Sequence, residues 1–191
     1  MLNKLKITKI LELNESYQKV IFYFFSFPNK EVNLSELATS LKMSKKTASK
    51  IINRLVKEGF LIKKIYGKVW RIYCNTKHKY NYTRKIGFNL TMIYETEILE
   101  DIKKTIKNYK SIILFGSYRK GDDNEKSDVD IAIEVLDNKP IKIIELGILP
   151  EFGFRKDVPV NLHIFSKNKT DINLFSNIAN GIILDGFLEV K

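Results

Sequence analysis

With 191 residues, 33 Lys+Arg against 22 Asp+Glu and a formal net charge of +11, the chain is long enough for two small domains and basic enough to suit a polyanion partner. No apolar run approaches the roughly 18 residues of a membrane span, and one cysteine, Cys74, excludes an intramolecular disulfide framework and fits a reducing cytoplasm. Two histidines, His78 and His163, give no Cys/His zinc spacing, and Met1–Lys6 leads into no signal-peptide core, so the expectation is a cytoplasmic protein without a membrane partner.

The charge is uneven. Residues 1–86 hold 19 Lys+Arg and 5 Asp+Glu, whereas residues 87–191 hold 14 and 17. Neutralising phosphates releases condensed counterions, so a domain-sized basic excess points to nucleic acid. A solvated Lys-rich surface is the plainer alternative. The order of elements favours the first. Glu15 to Phe27 has helical period, with Val20, Ile21, Phe24 and Phe25 as its stripe, and Pro28-Asn29 ends it. Asn33 N-caps a second helix, Leu34 to Leu41, with Glu36 placed for a capping box. Ser44 caps a third helix running to Glu58, and Gly59 stops it. Ala48, Ile51, Ile52 and Leu55 form its apolar face. Phe60 to Ile65 and Val69 to Tyr73 read as two strands joined through Tyr66-Gly67-Lys68. This is a winged helix-turn-helix order.

The segment Leu34-Ser-Glu-Leu-Ala-Thr-Ser-Leu-Lys-Met-Ser-Lys-Lys-Thr-Ala-Ser-Lys-Ile-Ile-Asn-Arg-Leu-Val-Lys-Glu-Gly-Phe-Leu61 resembles winged-helix transcription regulators, and the resemblance spans residues 15–75. It implies that the third helix enters a DNA major groove with the hairpin wing beside the backbone. Lys45, Lys46, Thr47 and Lys50 are then the base-proximal residues. Arg54, Lys63, Lys64, Lys68 and Arg71 are the phosphate contacts. A homodimer is implied, because such proteins usually read paired half-sites. Winged helices also serve as protein-interaction modules, and that alternative stays open.

Residues 76–89 are basic and aromatic without clear period, and read as a linker. Leu90 to Tyr109 predicts one amphipathic helix carrying Ile93, Ile98, Ile102 and Ile106. A buried strand, Ile112 to Phe115, runs into Gly116-Ser117, and a polar loop, Tyr118 to Lys126, follows. Asp128 and Asp130 then sit at the start of a second strand, Val129 to Val135. Side chains two apart on a strand share a face, roughly 6.6 Å apart. Two carboxylates so placed beside a Gly-Ser turn with free amides can hold Mg²⁺ against a nucleotide's phosphates. Pro140 to Phe154 predicts a further helix, weakened by Gly147 and Pro150. Val158 to Phe165 is a third strand, and Asp171 to Ala179 a last helix ended by Gly181.

Gly-Ser, a spacer, then Asp-x-Asp on a strand resembles the polymerase-beta-type nucleotidyltransferases, in particular their minimal members, over residues 110–184. The resemblance implies that Gly116 and Ser117 seat a triphosphate and that Asp128 and Asp130 bind metal. Arg119 and Lys120 would neutralise phosphate charge. A third carboxylate is expected in that family where Asn161 stands, and Asn is neither an anionic ligand nor a general base. Asn161 and His163 share a face of their strand, with His163 at the site edge and not a ligand, while Asp157 lies just before it. Two readings follow. Two carboxylates and the substrate's phosphates hold one ion, or the domain binds a nucleotide, or nothing, without catalysis.

The expected fold is therefore α+β: a winged helix-turn-helix over residues 1–75, a basic linker over 76–89, and a small mixed sheet with helices, the nucleotidyltransferase fold, over 90–191. The expected function is a DNA-binding, Mg-dependent nucleotidyltransferase that uses an NTP and an unidentified acceptor, with a protein as partner or acceptor. The alternative is an inactive nucleotidyltransferase fold acting as nucleotide sensor or antitoxin-like partner module on a transcription regulator.

Overall fold

The structure is a computed structural model that describes residues 15–189, so the reading of Met1–Lys6 lies outside the described residues. In the first half, α1 (Glu15–Ser26) buries Tyr17, Val20, Ile21, Phe24 and Phe25, the i, i+3, i+4, i+7 stripe its sequence carries. Helix α2 (Leu34–Ser40) begins where the Asn33 side chain accepts the Glu36 amide at 2.8 Å. The capping box is only half made, because the Glu36 carboxylate pairs with Lys30 at 3.5 Å. Helix α3 (Lys45–Lys57) is capped by Ser44, which accepts the Thr47 amide at 3.0 Å. Strands β1 (Leu61–Tyr66) and β2 (Val69–Cys74) form the wing. Val32 pairs with Ile72 and ties the segment before α2 to it.

Residues 76–89 are folded rather than extended as a link. A short 3-10 helix, Lys79–Tyr82, leads directly into α4 (Arg84–Glu95). Buried Tyr80, Asn81 and Lys85 hold this stretch. Its order comes from polar contacts that leave no apolar period. The single helix expected over 90–109 is two, α4 and α5 (Ile98–Thr105). Glu97, with φ +55°, breaks the run, and the Thr96 hydroxyl donates to the Ile93 carbonyl at 2.9 Å.

The second half is a five-stranded mixed sheet in the order β5-β6-β4-β3-β7. Its strands are β3 (Tyr109–Phe115), β4 (Val129–Val135), β5 (Lys142–Phe152), β6 (Arg155–Phe165) and β7 (Ile182–Gly186). Only β4 and β6 run parallel. The helix expected over 140–154 is instead strand β5, registered on β6 from Lys142↔Ile164 to Phe152↔Arg155. Ile144, Ile148, Leu149 and Phe152 fit helical spacing on paper, but β5 is an outer strand, where Pro150 costs little and the bulge between Glu145 and Gly147 absorbs the glycine. One face of the sheet packs Ile112, Leu114, Val129, Ile131 and Leu162 with α5 residues Ile98, Leu99 and Ile102. The other face carries a smaller cluster, Ile113, Phe115, Ala132 and Phe165, with Ile178 of α7 (Ile172–Ala179). No helix among the described residues is long and apolar enough to cross a membrane.

The two halves share one continuous core. Phe22 of α1 stacks on Phe88 of α4 at 4.6 Å, and Tyr23 meets Phe154 edge-on at 5.7 Å. The Phe154 amide donates to Ser26 Oγ at 3.1 Å, and Asn29 donates from both nitrogens to the Glu125 carboxylate at 2.8 and 3.0 Å.

Candidate active site and basic surface

Strand β3 ends at Phe115, which lies across from Asp130 in the ladder. The chain does not pass straight into a loop there. It forms a five-residue helix, α6 (Gly116–Lys120), whose N-cap Phe115 offers no side-chain acceptor. The amides of that first turn have no helical partner and make a place for anionic oxygens. Gly116 takes φ +72°, and a Cβ there would stand 2.7 Å from Asp130 Oδ2. Glycine at 116 suits this φ and lets the Asp130 carboxylate lie close against the turn.

Asp130 lies on the face of β4 opposite Val129, Ile131 and Ile133, which are buried in the larger core, and Asp128 immediately precedes the strand. Parallel pairing brings Asn161 level with Asp130 and His163 level with Ala132. The Asn161 side-chain amide donates to Asp128 Oδ2 at 3.2 Å. His163 Nε2 meets Asp130 Oδ1 at 3.2 Å, with ring and carboxylate 12% and 27% exposed. His163 Nδ1 is buried without a protein partner, and the ring meets Phe115 edge-on at 4.8 Å. His163, expected at the site edge, thus stands directly against Asp130. Arg119 is half-buried with Nε unpartnered, and Lys120 is exposed. Asp157, with φ +54°, takes no part in the hydrogen bonds that join Asn161 to Asp128 and His163 to Asp130.

The loop between the two halves of this site is held by residues that sequence reasoning passed over. Lys85 and Asp123, 1% and 4% exposed, form a buried ion pair at 3.1 Å. Asn89 donates to Asp123 Oδ1 at 2.8 Å and to the Tyr118 carbonyl at 2.9 Å. Burial pushes the Asp123 carboxyl up from its ordinary pKa, against the pull of the Lys85 ammonium. From β6, Arg155 donates to the Ser127 carbonyl at 2.8 Å and to the Tyr118 hydroxyl. Gly121, φ +78°, passes so close to Asn81 that a Cβ would lie 1.9 Å from the Asn81 carbonyl oxygen. A buried Lys in an aperiodic basic stretch gives no sequence signal. Asp123 is equally mute beside exposed Asp122.

Two carboxylates beside unpartnered amides suit a hard cation such as Mg²⁺, which keeps waters and takes phosphate oxygens rather than a full protein cage. Among the described residues no three His, Cys, Asp or Glu side chains group to hold a metal by themselves. Asp128 and Asp130 are the two anionic side chains here that could hold an ion together with phosphate oxygens.

On the winged half, Lys45, Lys46, Lys50, Lys64 and Lys68 are exposed. Ser16, Tyr17, Lys46, Thr47, Lys50 and Arg54 line a groove along α3. The Thr47 hydroxyl is shared with the Ser44 cap at 2.9 Å. Three expected phosphate contacts are engaged within the chain: Arg54 with Glu58 at 3.1 Å, Lys63 with Asn53 at 2.6 Å, and Arg71 with Glu31 at 2.6 Å. Lys63 also lies over Trp70 at 4.0 Å.

Comparison with known proteins agrees with this division. Residues 95–180 match the family described as nucleotidyltransferase domain, and residues 15–76 match the TBPIP/Hop2 winged helix domain. A 45-residue stretch is 49% identical to a Methanocaldococcus jannaschii protein named, provisionally, a protein adenylyltransferase. That match takes in 22% of this chain and 45% of the relative, so the chain spans less than half the length of the curated relative it matches. The chain joins a winged helix domain to a nucleotidyltransferase domain.

Proposed function

From that fusion we propose a cytoplasmic, DNA-binding nucleotidyltransferase that uses an NTP and Mg²⁺ and acts as a homodimer at DNA. Residues 1–75 would serve DNA binding and 90–191 transfer, with 76–89 joining them. The observation that carries the reading is the fit of Asp130 against Gly116, which sets a carboxylate beside unpartnered amides. Gly116 and Ser117 seat the triphosphate, with Arg119 and Lys120 offsetting its charge. Asp128 and Asp130 hold the ion, which when bound screens phosphate charge. An acceptor hydroxyl oxygen bonds to the α-phosphorus, the bond to the bridging oxygen breaks, and pyrophosphate leaves with the electron pair. The hydroxyl proton would pass to a carboxylate of the Asp128–Asp130 pair or to solvent. The relative's name supports adenylyl transfer to a protein.

The test is a Mg²⁺-dependent labelling assay with each of four α-labelled NTPs, cell lysate as acceptor and Asp128→Asn/Asp130→Asn as control. Wild type is expected to label an acceptor, and the variant to lose roughly a hundredfold or more of that rate with its melt unchanged. Equal labelling by both would overturn the roles given to the aspartates. A second reading, a nucleotide sensor or partner module on a DNA-binding regulator, is favoured by neutral Asn161, which donates to Asp128 where a third anion would repel it. Nucleotide binding by calorimetry without transfer would select it.

A further inference from the structure

We propose that the cavity between α1 and α4, at the seam of the two domains, binds a small amphipathic carboxylate, its apolar body on Phe22, Phe25 and Phe88 and its carboxylate on Arg84. The cavity measures about 580 Å³ and is also lined by Gly87 and Phe154. That size, an apolar wall and a seat at a domain interface are the usual attributes of a small-ligand pocket. Three observations give the occupant its chemistry.

Among the described residues lining the cavity, Arg84 alone is charged, and its guanidinium also reaches toward the Tyr17 hydroxyl that Glu58 holds. Its Nη1 is buried without a hydrogen-bond partner. A buried charged donor left without an acceptor is costly, and a carboxylate is the acceptor that matches a guanidinium best. Its guanidinium stacks over the Tyr80 ring at 4.0 Å, which favours the inward position. Gly87 supplies the third observation. It sits in the body of α4, where glycine disfavours a helix, yet nothing lies within 4 Å of the position its Cβ would take. No neighbouring side chain demands glycine there, and the space its absent side chain leaves adds to the cavity. The site is separate from Asp128 and Asp130, and the inference stands whether or not the chain transfers nucleotides. An occupant would wedge α1 against α4 and so set how the winged half sits on the nucleotidyltransferase half.

The test uses the full chain and anilinonaphthalene sulfonate, an apolar anion whose fluorescence rises in dry sites, displaced by decanoate or by decanol. Saturable binding at one site is expected, with displacement by both. Arg84→Gln should weaken decanoate roughly tenfold or more and leave decanol unchanged. Gly87→Leu should fill the cavity and abolish binding without lowering the melting temperature. If that variant misfolds, the decanoate-to-decanol ratio in Arg84→Gln decides alone. Absence of saturable binding by a chain with an intact melt would overturn the proposal, as would equal decanoate affinity in wild type and Arg84→Gln. A concentration-dependent loss of probe with doubled mass in light scattering would also overturn it, in favour of a second copy covering the seam.

Discussion

Gly116 is the residue on which the candidate site turns. Replacing it with alanine asks an L residue to hold φ +72° and drives a methyl to 2.7 Å from Asp130 Oδ2. The backbone cost alone is about 1–2 kcal/mol. Gly116→Ala should therefore lower the urea midpoint modestly while nucleotide affinity, read by calorimetry, falls much further. His78 is the other residue whose atoms make a prediction by themselves. Its Nε2 donates to the Glu58 carbonyl at 3.1 Å, and its Nδ1 accepts the Tyr80 amide at 3.3 Å. Both nitrogens are matched only in the neutral ring, and burial holds its pKa below the ordinary 6.5. The unfolded chain then binds the extra proton more readily. The His78 contribution is full above pH 6.5 and is lost as pH falls from there through the lower folded value. Melting temperature should drop between pH 8 and pH 5.5 by less in His78→Gln than in wild type.

Between elements, the Lys85–Asp123 pair is the rivet that joins α4 to the loop after α6. Removing one partner strands a buried charge, so Lys85→Met should cost roughly 3–5 kcal/mol in urea unfolding. Lys85→Met/Asp123→Asn should cost less, since Asn can keep the Asn89 contact. This element-scale order marks what sequence could and could not show. The caps at Asn33 and Ser44, the stripe of α1 and the strand carrying Asp130 are local chemistry, and each stands where its residues point. Pro140 to Phe154 misled because isoleucines at helical spacing also suit an outer strand, and only pairing with β6 decides between them. The linker misled because Asn81 and Lys85 are buried through partners 30 or more residues away, or through carbonyls that any sequence supplies. At the site, Asp128, Asp130 and Gly116 were legible as a spacing. Arg155 and Asn89 were not, since their partners lie 28 or more residues away and include the Ser127 and Tyr118 carbonyls.

For the molecule as a whole, the basic excess lies on one half while the candidate nucleotide site lies on the other, and one core joins them. If the winged half meets DNA through α3 and the wing, exposed Lys64 and Lys68 are phosphate contacts. Lys64→Ala and Lys68→Ala should each lower the slope of log affinity against log salt by about 1. Arg71→Ala should change the slope less, because Glu31 already neutralises that guanidinium. Titrations of the three variants across a salt series check the ranking. Strand β5 has a consequence for how this chain keeps company with its own copies. An outer strand offers a row of unpaired backbone groups, and Ile143 and Ile148 stand exposed beside it. Pro150 has no N–H to give, the offset at Glu145 and Gly147 throws a straight partner out of register, and exposed Lys142, Glu145 and Glu151 penalise a dry seam. These features blunt the rim of the sheet against a passing strand at the place where two isoleucines would otherwise invite one.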